Sequence, residues 1–196
     1  MYGPDLRYGD VKQAAVEFLK RYHPTNRLPV PIEDIVEYQI HIALFAVPGI
    51  KLLLGIDAFI SSDFDQITLD ADCFVKYPER TRFSIAHEIG HLVLHRGWYE
   101  KHGPKSIEDY FTSHDRMDDQ IYNHIEIQAQ TFAGLVLVPQ DLLLDELRKR
   151  LGRIPSSEPP EVLSPFVQDL PALFQVSDAV ILRRLQREGL VKQNDR

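Results

Sequence analysis

The sequence is poor in cysteine and in positive charge, and both shortages narrow the functions it can serve. Cys73 is the only cysteine among 196 residues, so no intramolecular disulfide can form and no second thiolate is available for a metal site. Lys and Arg together number 22 against 29 for Asp and Glu, and the resulting net charge of −7 would repel a phosphate backbone. We therefore expect no direct binding of nucleic acid.

Long apolar runs and a secretory signal are also missing from the sequence. The longest apolar stretches, such as residues 50–56 and 135–138, are much shorter than the roughly 20 residues needed to span a bilayer. The first residues include Asp5, Asp10 and Glu17 and lack the basic and then apolar pattern of a secretory signal. These features predict a cytoplasmic protein without a membrane segment.

Apolar periodicity predicts an α+β fold. Three short strands between residues 41 and 70 are separated by turn residues, and we expect them to form a small, mostly antiparallel sheet. From Pro78 the apolar spacing becomes that of a long helix, which we expect to end near Gly97 and to pack on the sheet. Further helices are predicted at residues 10–21, 118–137, 139–151 and 171–190.

Two segments do not follow this regular pattern. Residues 98–120 are polar and irregular, and a connection of that length within a compact domain favours a functional loop or lid. Four prolines between residues 152 and 165 indicate a linker. We therefore predict a main domain at residues 1–151, followed by a proline-rich linker and a helical segment at residues 152–196.

The segment His87-Glu88-Ile89-Gly90-His91 lies within the long predicted helix and carries the clearest chemical signal. Histidines four residues apart fall on one face of a helix, about 6 Å apart along its axis, where their imidazoles can share one metal ion. Glu88 lies off this ligand row, so its carboxylate can reach a water molecule without taking a coordination position. The pattern predicts a zinc site with Glu88 as the general base.

A catalytic zinc ion usually takes three protein ligands, so another element must supply the third. His95 lies eight residues after His87 on the same helix, too far along the axis to complete a tetrahedron, and a capping or packing role near the helix end is the better interpretation. His102 and His114 fall in the polar connection, where solvated side chains are expected. The candidate donors are His95, His102, His114, His124 and Glu126.

Glu126 has the most suitable context among these donors. It shares its predicted helix with an apolar stripe that includes Ile125, Ala129 and Phe132, so it is expected to face inward. A carboxylate on such a face is costly to bury unless it is paired or bound to a metal. From the residues alone, a metal ligand and a salt bridge remain equal alternatives for Glu126.

Two segments resemble the signatures of the ImmA/IrrE-type metallopeptidases. Residues 82–95 (RFSIAHEIGHLVLH) look like the active-site helix of that family, and residues 126–133 (EIQAQTFA) with the following Leu137-Val138-Pro139 resemble its second signature. The resemblance implies that Glu126 is the third zinc ligand, and we assign the zinc metallopeptidase to the predicted domain at residues 1–151. Gln130 occupies a position where the family usually has Asn or Asp, which could orient a zinc histidine. Gln128 occupies a position where members of the family often have an acidic residue.

The resemblance also implies a function. We expect zinc-dependent hydrolysis of peptide bonds, with Glu88 accepting and returning a proton. The family is associated with cleavage of helix-turn-helix repressors, so the expected partner is such a repressor or an antitoxin. Two alternatives stay open, a zinc-sensing regulatory protein with little proteolytic activity and the toxin component of a toxin–antitoxin pair. The sequence does not choose among five candidate donors to the oxyanion: Tyr99, Tyr110, His114, Tyr122 and His124.

Overall fold

The computed structural model describes residues 5–113 and 119–192. The described residues form a mostly helical α+β fold with one three-stranded sheet. The N-terminal half contains α1 (Tyr8–Tyr22), α2 (Ile32–Asp34, continued by a π-helical segment at Ile35–Ile40), β1 (Ala43–Val47), α3 (Ile50–Leu54), β2 (Ala58–Ile60), β3 (Gln66–Asp70), α4 (Ala71–Lys76) and α5 (Pro78–His102). The C-terminal half contains α6 (Ile107–Ser113), α7 (Asp119–Leu137), α8 (Gln140–Leu151), α9 (Pro160–Val167), α10 (Leu170–Phe174) and α11 (Asp178–Arg187).

The sheet is mixed, which corrects the prediction of a mostly antiparallel one. Its strand order is β1-β3-β2, with β2 antiparallel and β1 parallel to β3. The apolar residues after β1 form α3, which lies between Gly49 and Gly55, both at positive φ (81° and 74°). Because a helical turn separates β1 from β2, the two strands are not joined in a tight hairpin, and β1 pairs with β3 across a crossover.

Helix α5 is longer than the sequence predicts. The expected end near Gly97 is wrong, because the helix continues to His102. Tyr99 is buried on the extra turn, with its ring centroid 5.7 Å from that of Phe64 and 4.9 Å from that of His91. Such packing outweighs the cost of about 1 kcal/mol for a glycine inside a helix. The segment expected to be irregular therefore begins with the last turn of α5 and also contains α6.

The core lies between α5, α7 and the sheet, and α1 covers the other side of α7. Ile85 and Ile89 of α5 are fully buried, as are Phe132 and Val136 of α7. The C-terminal helices α9 to α11 join the same apolar cluster through Leu163, Leu170, Phe174, Ile181 and Leu185. Among the described residues no single helix is long and apolar enough to cross a membrane. The bent pair formed by α7 and α8 reaches that length only together, with 50° between its parts.

Candidate metal centre

Helices α5 and α7 bring three donor side chains to one point. His87 and His91 lie one turn apart on α5, and their Nε2 atoms are 3.1 Å apart. Glu126 of α7 reaches both rings, with Oε2 3.1 Å from His87 Nε2 and Oε1 3.2 Å from His91 Nε2. The structure thus brings the three predicted ligands together.

A close crossing of the two helices makes this meeting possible. Gly90 lies between the two histidines in sequence, and a Cβ atom built on it would be 3.0 Å from the Cα and 3.2 Å from the Cβ of Ala129. Ala129 follows Glu126 by about one turn of α7, so the contact that brings the helices together also sets how far the carboxylate reaches. The glycine and the alanine are needed here because larger side chains would separate the helices.

The donor set suits a divalent metal ion in both geometry and chemistry. Donors bound to zinc at 2.0–2.1 Å in a tetrahedron lie about 3.3 Å from one another. The two ring nitrogens are 3.1 Å apart, close to that value, and each has one oxygen of the Glu126 carboxylate within 3.2 Å. With one ligand atom taken from each residue, the three atoms lie within 4.8 Å of one another. Two imidazole nitrogens and one carboxylate oxygen are also a known ligand set of catalytic zinc. The residues present therefore fit a metal centre.

The electrostatics of the site favour a positive charge between these groups. Burial raises the pKa of Glu126, but the hydrogen bonds from His87 and His91 outweigh it and hold the pKa well below its usual value. Burial lowers the pKa of His87, but the hydrogen bond to Glu126 and the charges of Glu88 and Glu126 together outweigh this effect and raise the pKa overall. A bound cation would meet the same carboxylate and the same ring nitrogens.

Glu88 lies beside the three donors and is anchored to the sheet. Its side chain is 5 % exposed, and its Oε2 accepts a hydrogen bond of 2.9 Å from the backbone N–H of Ile60 in β2. Burial raises the pKa of Glu88, while the nearby imidazoles and the Ile60 N–H oppose that shift. A carboxyl group whose pKa is moved towards neutrality can both accept and return a proton.

A buried chain of hydrogen bonds lies behind His91. Its Nδ1 is 3.3 Å from Nδ1 of His95, and Nε2 of His95 is 2.7 Å from Oε1 of Gln128. The amide nitrogen of Gln128 donates to the carbonyl of Leu6 at 3.0 Å. Burial, with a smaller effect from His91, lowers the pKa of His95 to about 4. His95 therefore does not cap the helix, because α5 continues for seven residues beyond it.

Gln128, and not Gln130, lies behind the metal ligands, which the sequence did not predict. Gln130 is exposed and lines the cleft, and no hydrogen bond joins it to a ligand histidine among the described residues. The only signal for the buried chain was the second i, i+4 histidine pair, His91 and His95. Nothing local in the sequence indicated that Gln128 would meet this pair.

The three donors lie in a cleft of about 300 Å³ between β2, α5, α6 and α7. Three of the predicted oxyanion donors line this cleft, namely Tyr99, Tyr110 and Tyr122. Burial raises the pKa of Tyr110 to about 12, although a hydrogen bond from Tyr122 opposes this effect. The phenol therefore keeps its proton at neutral pH and can donate it in a hydrogen bond.

Two other histidines proposed from the sequence, His102 and His124, do not reach the site. His124 lines a smaller pocket beside Leu6 and Tyr8. His102 is exposed and its ring lies 4.9 Å from that of Trp98. His114 lies outside the described residues.

The HExxH helix, the converging carboxylate of a second helix and the adjoining cleft are the features of a metallopeptidase. Comparison with family models supports this class. Residues 75–186 match the Peptidase_M78 model, described as the IrrE N-terminal-like domain. The match covers more than half of the chain and runs from α4 into α11, so the chain belongs to this metal-dependent peptidase family. A search of curated proteins finds no match.

Proposed function

We propose that this protein is a zinc-dependent endopeptidase in which His87, His91 and Glu126 hold the metal ion. The observation that carries the proposal is the convergence of these side chains at a cleft of about 300 Å³, where the two histidine nitrogens are 3.1 Å apart and each has an oxygen of Glu126 within 3.2 Å. When bound there, zinc would act as a Lewis acid that activates water and polarises a peptide carbonyl.

Glu88 acts as the general base in this proposal. The Ile60 N–H binds Oε2, which leaves Oε1 as the oxygen for proton transfer. Oε1 accepts the proton of the attacking water, and the same carboxyl group then delivers it to the leaving amine. Burial raises the pKa of Glu88. The carboxyl group therefore holds the transferred proton more firmly until the leaving amine accepts it.

The outer edge of β2 at Ala58 provides a surface for an extended peptide. One edge of β2 pairs with β3, and on the other edge the N–H of Ile60 already donates to Glu88. Ala58 lies two residues before Ile60, so its backbone groups share that outer edge, and it lines the cleft. Pairing through backbone groups recognises the interior of a chain, which suits an endopeptidase.

The proposed substrate is a specific regulatory protein, either a helix-turn-helix repressor or an antitoxin. The resemblance to the ImmA/IrrE-type family supports this choice. The net charge of −7 also favours encounter with a partner that has a basic face, as DNA-binding proteins have. The position of Glu88 favours a peptidase over a zinc sensor, because a sensor has no need of a buried base beside its metal ligands.

The test is Glu88→Gln, which removes the base but keeps the shape of the side chain and its contact with Ile60. We expect unchanged zinc content and folding, with a loss of cleavage of the helix-turn-helix repressor or antitoxin that the wild type cleaves. Glu79→Gln is the matched control, because Glu79 is an exposed glutamate of the same helix, and full activity is expected. Cleavage by Glu88→Gln at the wild-type rate would refute the proposed mechanism.

A further inference from the structure

We infer that the backbone carbonyl of Leu6 fixes the tautomer of His91, acting through Gln128 and His95. The inference rests on the proposed metal site and adds a positioning role for two side chains outside the ligand set. It concerns which nitrogen of His91 carries a proton before the metal binds.

The direction of the hydrogen bonds in this buried chain is determined at the Leu6 end. A backbone carbonyl can only accept, so the Gln128 atom that lies 3.0 Å from the Leu6 oxygen must be the amide nitrogen. This places Oε1 of Gln128 towards His95, at 2.7 Å from its Nε2. An amide oxygen can also only accept, and Nε2 of His95 therefore carries a proton.

The proton on His95 in turn determines which nitrogen of the metal ligand His91 donates. A neutral imidazole has a proton on one nitrogen only, so a His95 ring protonated at Nε2 has a lone pair at Nδ1. Nδ1 of His91 lies 3.3 Å from Nδ1 of His95 and must donate to the lone pair there. The neutral His91 ring then has a lone pair at Nε2, the atom that lies 3.1 Å from His87 and 3.2 Å from Glu126. An imidazolium at His91 satisfies the same chain, and a metal ion replaces only its Nε2 proton.

The chain therefore excludes the other neutral tautomer of His91, which has its proton at Nε2 and opposes metal binding. Burial makes the selection effective, because the side chains of His91, His95 and Gln128 are 2 %, 1 % and 5 % exposed and water has little access to them. Partners of this kind raise metal affinity by fixing the orientation and the tautomer of a ligand. Since a backbone carbonyl ends the chain, no particular residue type is required at position 6.

The experiment compares zinc dissociation constants, measured by competition with a chromophoric chelator, among full-length variants. Gln128→Leu removes the acceptor, and we expect roughly 10- to 100-fold weaker zinc binding. Gln128→Glu should restore most of the affinity, because a carboxylate can only accept and so fixes the direction without Leu6. Gln130→Leu is the matched control, an exposed glutamine of the same helix, and should bind zinc within about twofold of the wild type.

A second measurement needs no variant. Long-range ¹H–¹⁵N spectra of the zinc-loaded wild type should show His95 protonated at Nε2 and His91 at Nδ1. Protonation of His95 at Nδ1 would overturn the inference, as would equal zinc affinity in the wild type and in folded Gln128→Leu. If the wild type itself bound no zinc, the proposed function would fail, and this outcome differs from failure of the positioning role.

Discussion

Replacing Gly90 with alanine should weaken metal binding even where it costs the fold little. The new Cβ atom would be 3.0 Å from the Cα of Ala129 and 3.2 Å from its carbonyl oxygen. Ordinary contacts between such atoms are about 3.5–4.0 Å, so α5 and α7 must separate locally by roughly 0.5 Å or more. Two of the three close atoms belong to the backbone of α7, and Ala129→Gly should therefore restore little.

Two effects on folding stability oppose each other in this variant. Alanine inside a helix is favoured over glycine by up to about 1 kcal/mol, whereas overpacking at a close contact costs about 1–3 kcal/mol. The expected net loss in the free energy of unfolding is therefore about 0–2 kcal/mol. Metal binding has no such compensation, because Glu126 moves with Ala129 and ligand distances tolerate only about 0.2 Å. We expect zinc affinity to fall by roughly tenfold or more, which corresponds to about 1.4 kcal/mol.

Urea unfolding of the metal-free protein and zinc competition of the folded protein separate these two quantities. Gly134→Ala is the matched control on α7, because its new Cβ would lie 3.5 Å from the Cδ of Arg184, an ordinary contact. This control should gain up to about 1 kcal/mol in stability and keep its zinc affinity. The reasoning is refuted if Gly90→Ala binds zinc as tightly as the wild type.

Two further predictions concern the metal and the substrate. Elemental analysis should find about one zinc ion per chain in the wild type and almost none in His91→Ala, because three ligands are needed to hold the ion. Equal metal content in the two proteins would remove His91 from the site. The zinc-loaded protein should cleave a folded regulator at one site and leave unfolded casein nearly intact, as followed by electrophoresis and mass spectrometry. Efficient digestion of casein without cleavage of the regulator would indicate a general peptidase.

Local spacing explains which parts of the site could be predicted. The two histidines and Glu88 belong to a single helix, so their relative positions follow from helix geometry alone. Glu126 is on another helix, and its placement required only that the apolar stripe of α7 face α5. The structure brings these residues together because both helices keep the predicted buried faces.

The features that were not predicted depend on contacts between distant residues. The parallel pairing of β1 with β3 depends on where the chain crosses, which alternation of apolar residues does not encode. The extension of α5 to His102 depends on the burial of Tyr99 against other elements. The link from Gln128 to Leu6 joins residues 122 positions apart through a backbone atom, which leaves no trace in residue type.

Helix α5 determines the relative positions of all the groups proposed to react. It carries two ligands that face α7 and, between them, the glutamate that binds the backbone of β2 through Ile60. The outer edge of β2 is also the proposed site of the peptide, so the base and the substrate are positioned by the same strand. A change that moves α7 should therefore alter metal affinity first, whereas a change that moves β2 should alter turnover while zinc remains bound. On α5, Gly90 contacts α7 and Glu88 contacts Ile60 of β2. These two contacts lie on opposite sides of the same turn of the helix.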